Sequence, residues 1–168
     1  MRVIPGLYRQ TENGVYVSTH NIVGVAVHTE NRTAHMLFQT MDPFHGDLSH
    51  MPLKQFTDGL DAKYCLERTN PAPLLVPPLL RLFELRPGLY EHMKGGRYNV
   101  LGVSTDESTG EKMAAYQPLY GAHRFAFCLR PLAMFREYAR RPGLSYSVPR
   151  FFLIDPYHCP HIAAEYQD

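Results

Sequence analysis

The chain has 168 residues, of which 45% are apolar and 12% aromatic, while charged residues make up 20%. This composition is typical of an ordered globular protein and excludes a disordered chain. The net charge of +1 argues against nucleic-acid binding, and three widely spaced cysteines (Cys65, Cys128 and Cys159) do not form the disulfide framework of a small secreted domain.

The N-terminus is interrupted by Pro5 and Gly6 before an apolar stretch long enough for a signal peptide can form. No apolar run of about 18 residues, the length needed to cross a membrane, occurs elsewhere. We therefore expect a cytoplasmic protein that does not interact with membranes.

Short matches in the same order divide the chain into two related segments. Residues 5–8 and 87–90 both read Pro-Gly-Leu-Tyr, and Tyr16 recurs as Tyr98 at the same interval. Later matches pair residues 23–25 with 101–103, 38–39 with 116–117, 44–46 with 119–121, and 51–56 with 130–135. This order predicts an internal duplication in which the first copy carries about four extra residues near 18–21.

The second copy has the pattern of a small antiparallel sheet. Residues 97–103, 112–117 and 125–130 are predicted strands, separated by turns at 106–110 and at Gly121. Residues 131–141 predict a helix that begins with proline and ends near Gly143. Because so short a unit must bury its strand edges, a small barrel is the expected fold.

These patterns predict four segments. They are a diverged N-terminal barrel copy at 1–56, a proline-rich connector at 57–86, a second barrel copy at 87–151 and a tail at 152–168. Within the connector, Pro78 is expected to open a short apolar helix that packs between the copies.

The second copy contains several recognisable motifs in a fixed order. Residues 87–103 read Pro-Gly-Leu-Tyr-Glu-His-Met-Lys-Gly-Gly-Arg-Tyr-Asn-Val-Leu-Gly-Val, and Ser-Thr-Gly-Glu, Tyr-Gln-Pro-Leu-Tyr-Gly, Leu-Arg-Pro-Leu-Ala-Met-Phe and Val-Pro-Arg-Phe follow. Over residues 86–151 they resemble the bacterial family catalogued as domain of unknown function 1653. The resemblance implies an SH3-like barrel and supplies no activity. The predicted fold is therefore mainly β, with two tandem SH3-like small barrels and short helices.

The resemblance also marks where each copy departs from the family. The family has a histidine shortly before its Ser-Glu-Thr-Gly turn, where the second copy carries Asp106 or Glu107 and the first keeps His28. The first copy in turn has Met51 and Pro52 in place of the Arg-Pro pair. If each copy once held a site, each has lost part of it.

Aromatic side chains are the first candidates for ligand contact, because on a small barrel they often line a groove for planar or proline-rich ligands. The alternative is that they fill the core. Tyr90 and Tyr120, beside glycines at strand ends, are the ones predicted to line the surface. The full aromatic set is Tyr8, Tyr90, Tyr98, Tyr116 and Tyr120.

His92, Lys94 and Arg130 predict a cationic rim on the second copy, which with Gln117 would hold an anion such as phosphate. The alternatives for Arg130 are an ion pair with Glu91 or a role at the helix start, since surface charges usually contribute little. In the first copy His28 is the corresponding candidate.

Metal and catalytic signatures are weak. The tail offers His158, Cys159 and His161, but no second ligand pair stands at a suitable interval, so no metal or cofactor is predicted. Most histidines of the first copy are expected in exposed loops, and Asp106 and Glu107 in a solvated turn. No nucleophile motif is present, and no catalytic residue is predicted.

The leading hypothesis is a non-enzymatic binding module that recognises a small polar or anionic ligand or a peptide through the aromatic grooves or the cleft between copies. One alternative is an enzyme acting on a small nucleotide-like or sugar-like substrate, with His92, Lys94, Arg130 or His28 as acid, base or anion clamp. Another is a protein-interaction adaptor or inhibitor without a small ligand.

Overall fold

The computed structural model describes residues 4–41, 48–60, 63–69 and 84–155. The elements of the first half are β1 (Gly6–Glu12), β2 (Val15–His28), β3 (Ala34–Thr40), β4 (Leu48–Pro52), α1 (Leu53–Asp58) and β5 (Tyr64–Thr69). Those of the second half are β6 (Gly88–His92), β7 (Arg97–Asp106), β8 (Lys112–Pro118), β9 (Phe127–Pro131), α2 (Leu132–Phe135), β10 (Tyr138–Arg140), β11 (Ser147–Pro149) and β12 (Phe151–Asp155). The mainly β class is confirmed.

The two halves have the same antiparallel strand order. The first runs β5-β1-β2-β3-β4, and the second runs β12-β6-β7-β8-β9. In each half a short helix begins directly after a proline, Pro52 or Pro131, at the end of the fourth strand. Strands β10 and β11 form a separate ribbon.

Two parallel pairings join the halves into one barrel. Strand β9 pairs with β2, which brings Phe127 beside Ala26, and β4 pairs with β7, which brings Leu48 beside Ser104. The strands β2, β3, β4, β7, β8 and β9 therefore form a closed ring of six, three from each half. The prediction of two barrels packed side by side did not include this ring, which is held by backbone hydrogen bonds as well as apolar contact.

The core has three parts that follow from this topology. One apolar cluster lies in each half, with Phe56 at its centre in the first and Phe135 in the second. A third lies inside the ring and contains Leu37, Met113 and Leu129. Because the ring encloses side chains from both halves, each half contributes to burying the other.

A glycine bulge in each long strand connects these cores. The register of β2 against β3 shifts between Ile22 and Gly24, and that of β7 against β8 shifts between Val100 and Gly102. Ile22 faces the core of its own half, whereas the next residue, Val23, faces the ring. Successive residues of a strand point to opposite faces, so one strand supplies both cores.

The register corrects one of the predicted matches. Tyr8 pairs with His20, and Tyr90 pairs with Tyr98, so His20 rather than Tyr16 lies at the position of Tyr98. The extra residues of the first half lie in the hairpin between β1 and β2, and the ring of Tyr16 is half exposed.

The helix predicted for residues 131–141 was too long. Helix α2 ends at Phe135, and residues 138–140 form β10 instead. The Arg150 amide donates to the Glu137 carbonyl, and the Arg150 guanidinium lies 3.1 Å from the Glu137 carboxylate. These contacts hold the segment after Phe135 in extended form.

Two predicted boundaries differ from the elements. Strand β5 lies within the predicted connector, where it pairs with β1, and β12 crosses the limit drawn at residue 151. The helix expected after Pro78 and the His158–His161 motif lie outside the described residues. Among the described helices, none is long and apolar enough to cross a membrane.

Candidate functional site

Aromatic side chains from four strands of the second half surround one arginine. Arg130 near the end of β9 pairs with Ala114 of β8, two residues before Tyr116 on the same strand. His92 of β6 pairs with Phe151 of β12. We call the group His92, Tyr98, Tyr116, Tyr120, Arg130 and Phe151 the arginine–tyrosine cluster.

Tyr98 is the centre of this cluster. Its ring centroid lies 5.5 Å from those of Tyr116 and Tyr120 and 5.2 Å from that of Phe151, all in edge-to-face geometry. Its hydroxyl shares a hydrogen bond with the Tyr120 hydroxyl. Edge-to-face packing of this kind fixes ring positions, so the hydroxyl groups are held in place.

Arg130 lies over this aromatic surface, and no acidic side chain among residues 4–41, 48–60, 63–69 and 84–155 forms an ion pair with it. Its guanidinium carbon is 5.9 Å from the centroid of Phe151, at the outer limit of a cation–π contact. Its Nε is buried and has no hydrogen-bond partner among the residues that the structure describes. The alternative of an ion pair with Glu91 is not realised, because the described partner of Glu91 is Arg97, whose Nε lies 3.6 Å away.

The electrostatics around Arg130 favour negative charge. Burial lowers the pKa of His92, and the neighbouring charges of Arg150, Arg130 and Lys94 lower it further. Burial raises the pKa of Tyr98, and its hydrogen bond with Tyr120 adds to this. At neutral pH the tyrosine is therefore protonated, and a cationic field surrounds it.

The absence of a side chain at Gly96 leaves room for the Tyr120 ring. A Cβ on Gly96 would lie 2.5 Å from the Tyr120 ring, closer than side chains approach one another. The ring therefore rests on the bare backbone of the loop between β6 and β7. Tyr120 itself is 49% exposed, which leaves one side of its ring open to solvent.

We expect Gly96→Ala to move Tyr120 away from Tyr98 and to weaken about tenfold the binding of the ligand that we propose below for this cluster. The melting temperature should change little, because Tyr120 is an exposed side chain. Calorimetric titration beside thermal unfolding measures both quantities. The control is Gly121→Ala, whose Cβ would meet no atom within 4 Å; alanine at this position is strained by the positive φ of 71°, a strain that Gly96→Ala does not introduce. Equal binding by the Gly96→Ala variant and the wild type would contradict the role given to Tyr120.

The structure brings together five of the ten predicted ligand residues. These are His92, Tyr98, Tyr116, Tyr120 and Arg130. Lys94 is exposed in the adjacent loop, where its amide donates to Nδ1 of His92.

The other four predicted residues lie elsewhere. Tyr90 was expected at the surface but is only 6% exposed, because it packs against Phe135 and donates its hydroxyl to the Arg86 carbonyl. Tyr8 is buried in the corresponding place of the first half. Gln117 is buried, where it accepts from Asn99 and donates to the Phe125 carbonyl. His28 neighbours His35 instead.

The expectation that the histidines of the first half lie in exposed loops was wrong for four of them. His20, His28, His35 and His50 are buried and lie within β2, β3 and β4; His45 lies outside the described residues. Asp106 is likewise buried at the end of β7 rather than solvated. Residue type alone favoured solvent for these side chains.

Burial and neighbouring hydrogen bonds set the charge states of Asp106 and His50. Although burial raises the pKa of Asp106, hydrogen bonds from Ser108 and Thr109 lower it to about 2. Burial lowers the pKa of His50 to about 4 in spite of the nearby carboxylate. At neutral pH a negative carboxylate therefore faces a neutral imidazole.

The fold and the cluster define a mainly β protein with a six-stranded barrel and a cationic aromatic site. The family model described as "Protein of unknown function (DUF1653)" matches residues 88–153, a segment that contains the whole arginine–tyrosine cluster. The chain is also similar to a crystal structure of a DUF1653 protein from Bordetella bronchiseptica, with 29% identity, 43% of this chain and 90% of that chain covered, and a TM-score of 0.39. No curated protein matches the chain.

Proposed function

We propose that the protein is a binding module that holds a small anionic ligand, with a phosphate or carboxylate group, on the arginine–tyrosine cluster. The observation that carries this proposal is the buried Nε of Arg130, for which the described residues offer no hydrogen-bond partner. A buried charged donor without an acceptor costs free energy, and an oxyanion bound there would remove that cost.

The geometry of the donors suits an oxyanion. A guanidinium presents its N–H groups in a fixed fork that matches carboxylate and phosphate oxygens. Burial raises the pKa of Tyr116, while the charge of Arg130 and a hydrogen bond between the Arg130 and Tyr116 side chains lower it in part, so these two donors lie side by side. The open side of the Tyr120 ring would receive a planar part of the ligand.

The first half lacks this combination, which limits the proposal to one site. Met51 takes the place of Arg130 at the end of β4, and Phe38 takes that of Tyr116. A single ligand per chain is therefore expected. We further infer that the halves are duplicated SH3-like units, supported by two tyrosines whose hydroxyls donate to the carbonyl four residues earlier, Tyr8 to Ile4 and Tyr90 to Arg86.

Thermal unfolding of the full chain with inorganic phosphate, pyrophosphate, nucleoside monophosphates and citrate tests the proposal, because a ligand that binds only the folded state raises the melting temperature. We expect one of these anions to raise it and to bind at least about tenfold more weakly to Arg130→Ala, since hydrogen bonds to charged groups contribute about 1.5–3 kcal/mol. Arg130→Lys keeps the positive charge but not the forked N–H groups, so its affinity for the anion should lie between those of Arg130→Ala and the wild type.

The matched control is Arg97→Ala, an exposed arginine at the start of β7 that is paired with Glu91. Its affinity for the anion should equal that of the wild type. An anion that binds Arg130→Ala as tightly as the wild type would place the site elsewhere. Binding of none of the anions would favour the adaptor function, in which the same surface receives a protein partner.

A further inference from the structure

A second polar group lies at the rim of the six-stranded ring, apart from the arginine–tyrosine cluster. His50 of β4 and Asp106 of β7 are register partners across the parallel seam between the halves, and His35 comes from β3. One ligand atom of each of the three lies within 4.8 Å of the others. We call His35, His50 and Asp106 the histidine–aspartate cluster; all three are more than nine-tenths buried.

The atoms of this cluster that face away from its centre are occupied. Nδ1 of His50 shares a hydrogen bond of 2.9 Å with the Ser104 hydroxyl, and Nε2 of His35 shares one of 2.9 Å with the Thr33 hydroxyl. Oδ1 of Asp106 accepts three hydrogen bonds, from the amide and hydroxyl of Ser108 and from the amide of Thr109.

The remaining atoms lack partners of this kind. Nε2 of His50 lies 3.5 Å from Oδ2 of Asp106, longer than a charge-assisted hydrogen bond. Nδ1 of His35 is buried and has no hydrogen-bond partner within the described part of the chain. A buried imidazole nitrogen without a partner is costly, so its position beside a second imidazole and a carboxylate calls for a bound group.

We propose that the histidine–aspartate cluster binds a divalent transition-metal ion of the zinc class, with Nδ1 of His35, Nε2 of His50 and Oδ2 of Asp106 as ligands. Two imidazoles and one carboxylate are a common ligand set for such ions. Ligating histidines usually hold their other ring nitrogen on an outer hydrogen-bond partner, the role that Ser104 and Thr33 fill here.

The size of the cluster agrees with an ion. Metal–ligand bonds of about 2.0–2.2 Å require ligand atoms roughly 3.4 Å apart in tetrahedral geometry, so small side-chain movements close the site. His28, whose ring centroid lies 6.1 Å from that of His35, is a further imidazole near the cluster. A Ser-His-Asp nucleophile is a poorer interpretation, because Ser104 is fully buried and contacts Nδ1 rather than Nε2 of the histidine.

Cobalt(II) titration of the metal-free full chain tests the proposal, since Co²⁺ takes zinc sites and reports its ligands by visible absorption. We expect one Co²⁺ per chain and a ligand-field band without thiolate-to-metal charge transfer. Asp106→Asn, which keeps an oxygen for the Ser108 and Thr109 hydrogen bonds, and His35→Ala should each weaken Co²⁺ binding more than about tenfold, because even outer-shell substitutions reach that size.

Two matched controls define the site. His123→Ala removes an exposed histidine, and a combined His158→Ala, Cys159→Ser and His161→Ala variant removes the potential ligands of the tail; both should bind as the wild type does. The proposal is overturned if no Co²⁺ binds, or if the band survives Asp106→Asn and His35→Ala. Should either variant unfold by circular dichroism, Ser104→Ala takes its place, and an unchanged affinity there overturns the proposal equally.

Discussion

Replacement of Leu129 by alanine is expected to lower the free energy of unfolding by about 2–5 kcal/mol, the range for loss of a large aliphatic side chain from a packed core. Leu129 is completely buried inside the ring, on a strand that pairs with β8 of its own half and β2 of the other. The cavity would therefore open between the halves. We expect the variant to unfold in one cooperative transition whose midpoint lies at a lower urea concentration than that of the wild type.

Urea unfolding followed by far-ultraviolet circular dichroism and by tyrosine fluorescence measures this effect, since the chain has eleven tyrosines and no tryptophan. The matched control is Ile154→Ala on β12, where the side chain is 41% exposed; its effect should stay within about 0.5 kcal/mol. Two separate transitions, only one of them moved by Leu129→Ala, would show that the halves unfold independently and that the shared core does not couple them.

Acid is expected to destabilise the protein through His20. Burial lowers the pKa of this histidine to about 4, in a pocket where Ser18 and Gln10 hydrogen-bond to its Nε2. A histidine with a depressed pKa binds its proton more readily in the unfolded chain. Its contribution to stability is therefore complete above pH 6.5 and is lost as the pH falls toward 4, by up to about 3 kcal/mol.

Unfolding free energies of the wild type and His20→Gln between pH 7.5 and 4.5 isolate this contribution, because other buried histidines titrate in both proteins. The variant should lose less stability over this range than the wild type. His123→Gln, which alters an exposed histidine, should follow the wild-type curve. Parallel curves for the wild type and His20→Gln would mean that His20 is protonated as easily in the folded chain as in the unfolded one.

The local strands of the second half could be predicted from sequence because their signals are local. Alternating residues and the turn at 106–110 marked β7 and β8, and the proline at the end of β9 marked the start of α2. The end of α2 could not be predicted, since it depends on Arg150, which holds Glu137 from a position thirteen residues later. Propensity within residues 131–141 carries no information about that partner.

The six-stranded ring could not be predicted from local sequence patterns for a similar reason. Polar and apolar residues alternate in the same way in a strand that pairs on both edges and in one that pairs on a single edge. The sequences of β2 and β9 therefore do not indicate that these strands pair in parallel. The candidate site was predicted in part: cationic and aromatic residues were recognised by type, but Tyr90 and Gln117 needed the packing to show that they face the interior. The buried histidines were missed for the same reason.

The closed ring has a consequence for how two molecules of this protein can associate. Each half supplies three consecutive strands, and the strands of one half are closed only by those of the other. The first half of one chain presents the same edges to the second half of any neighbouring chain. If two chains exchanged halves, two barrels with the native strand pairings would therefore form. This topology thus permits misassembly into a domain-swapped dimer.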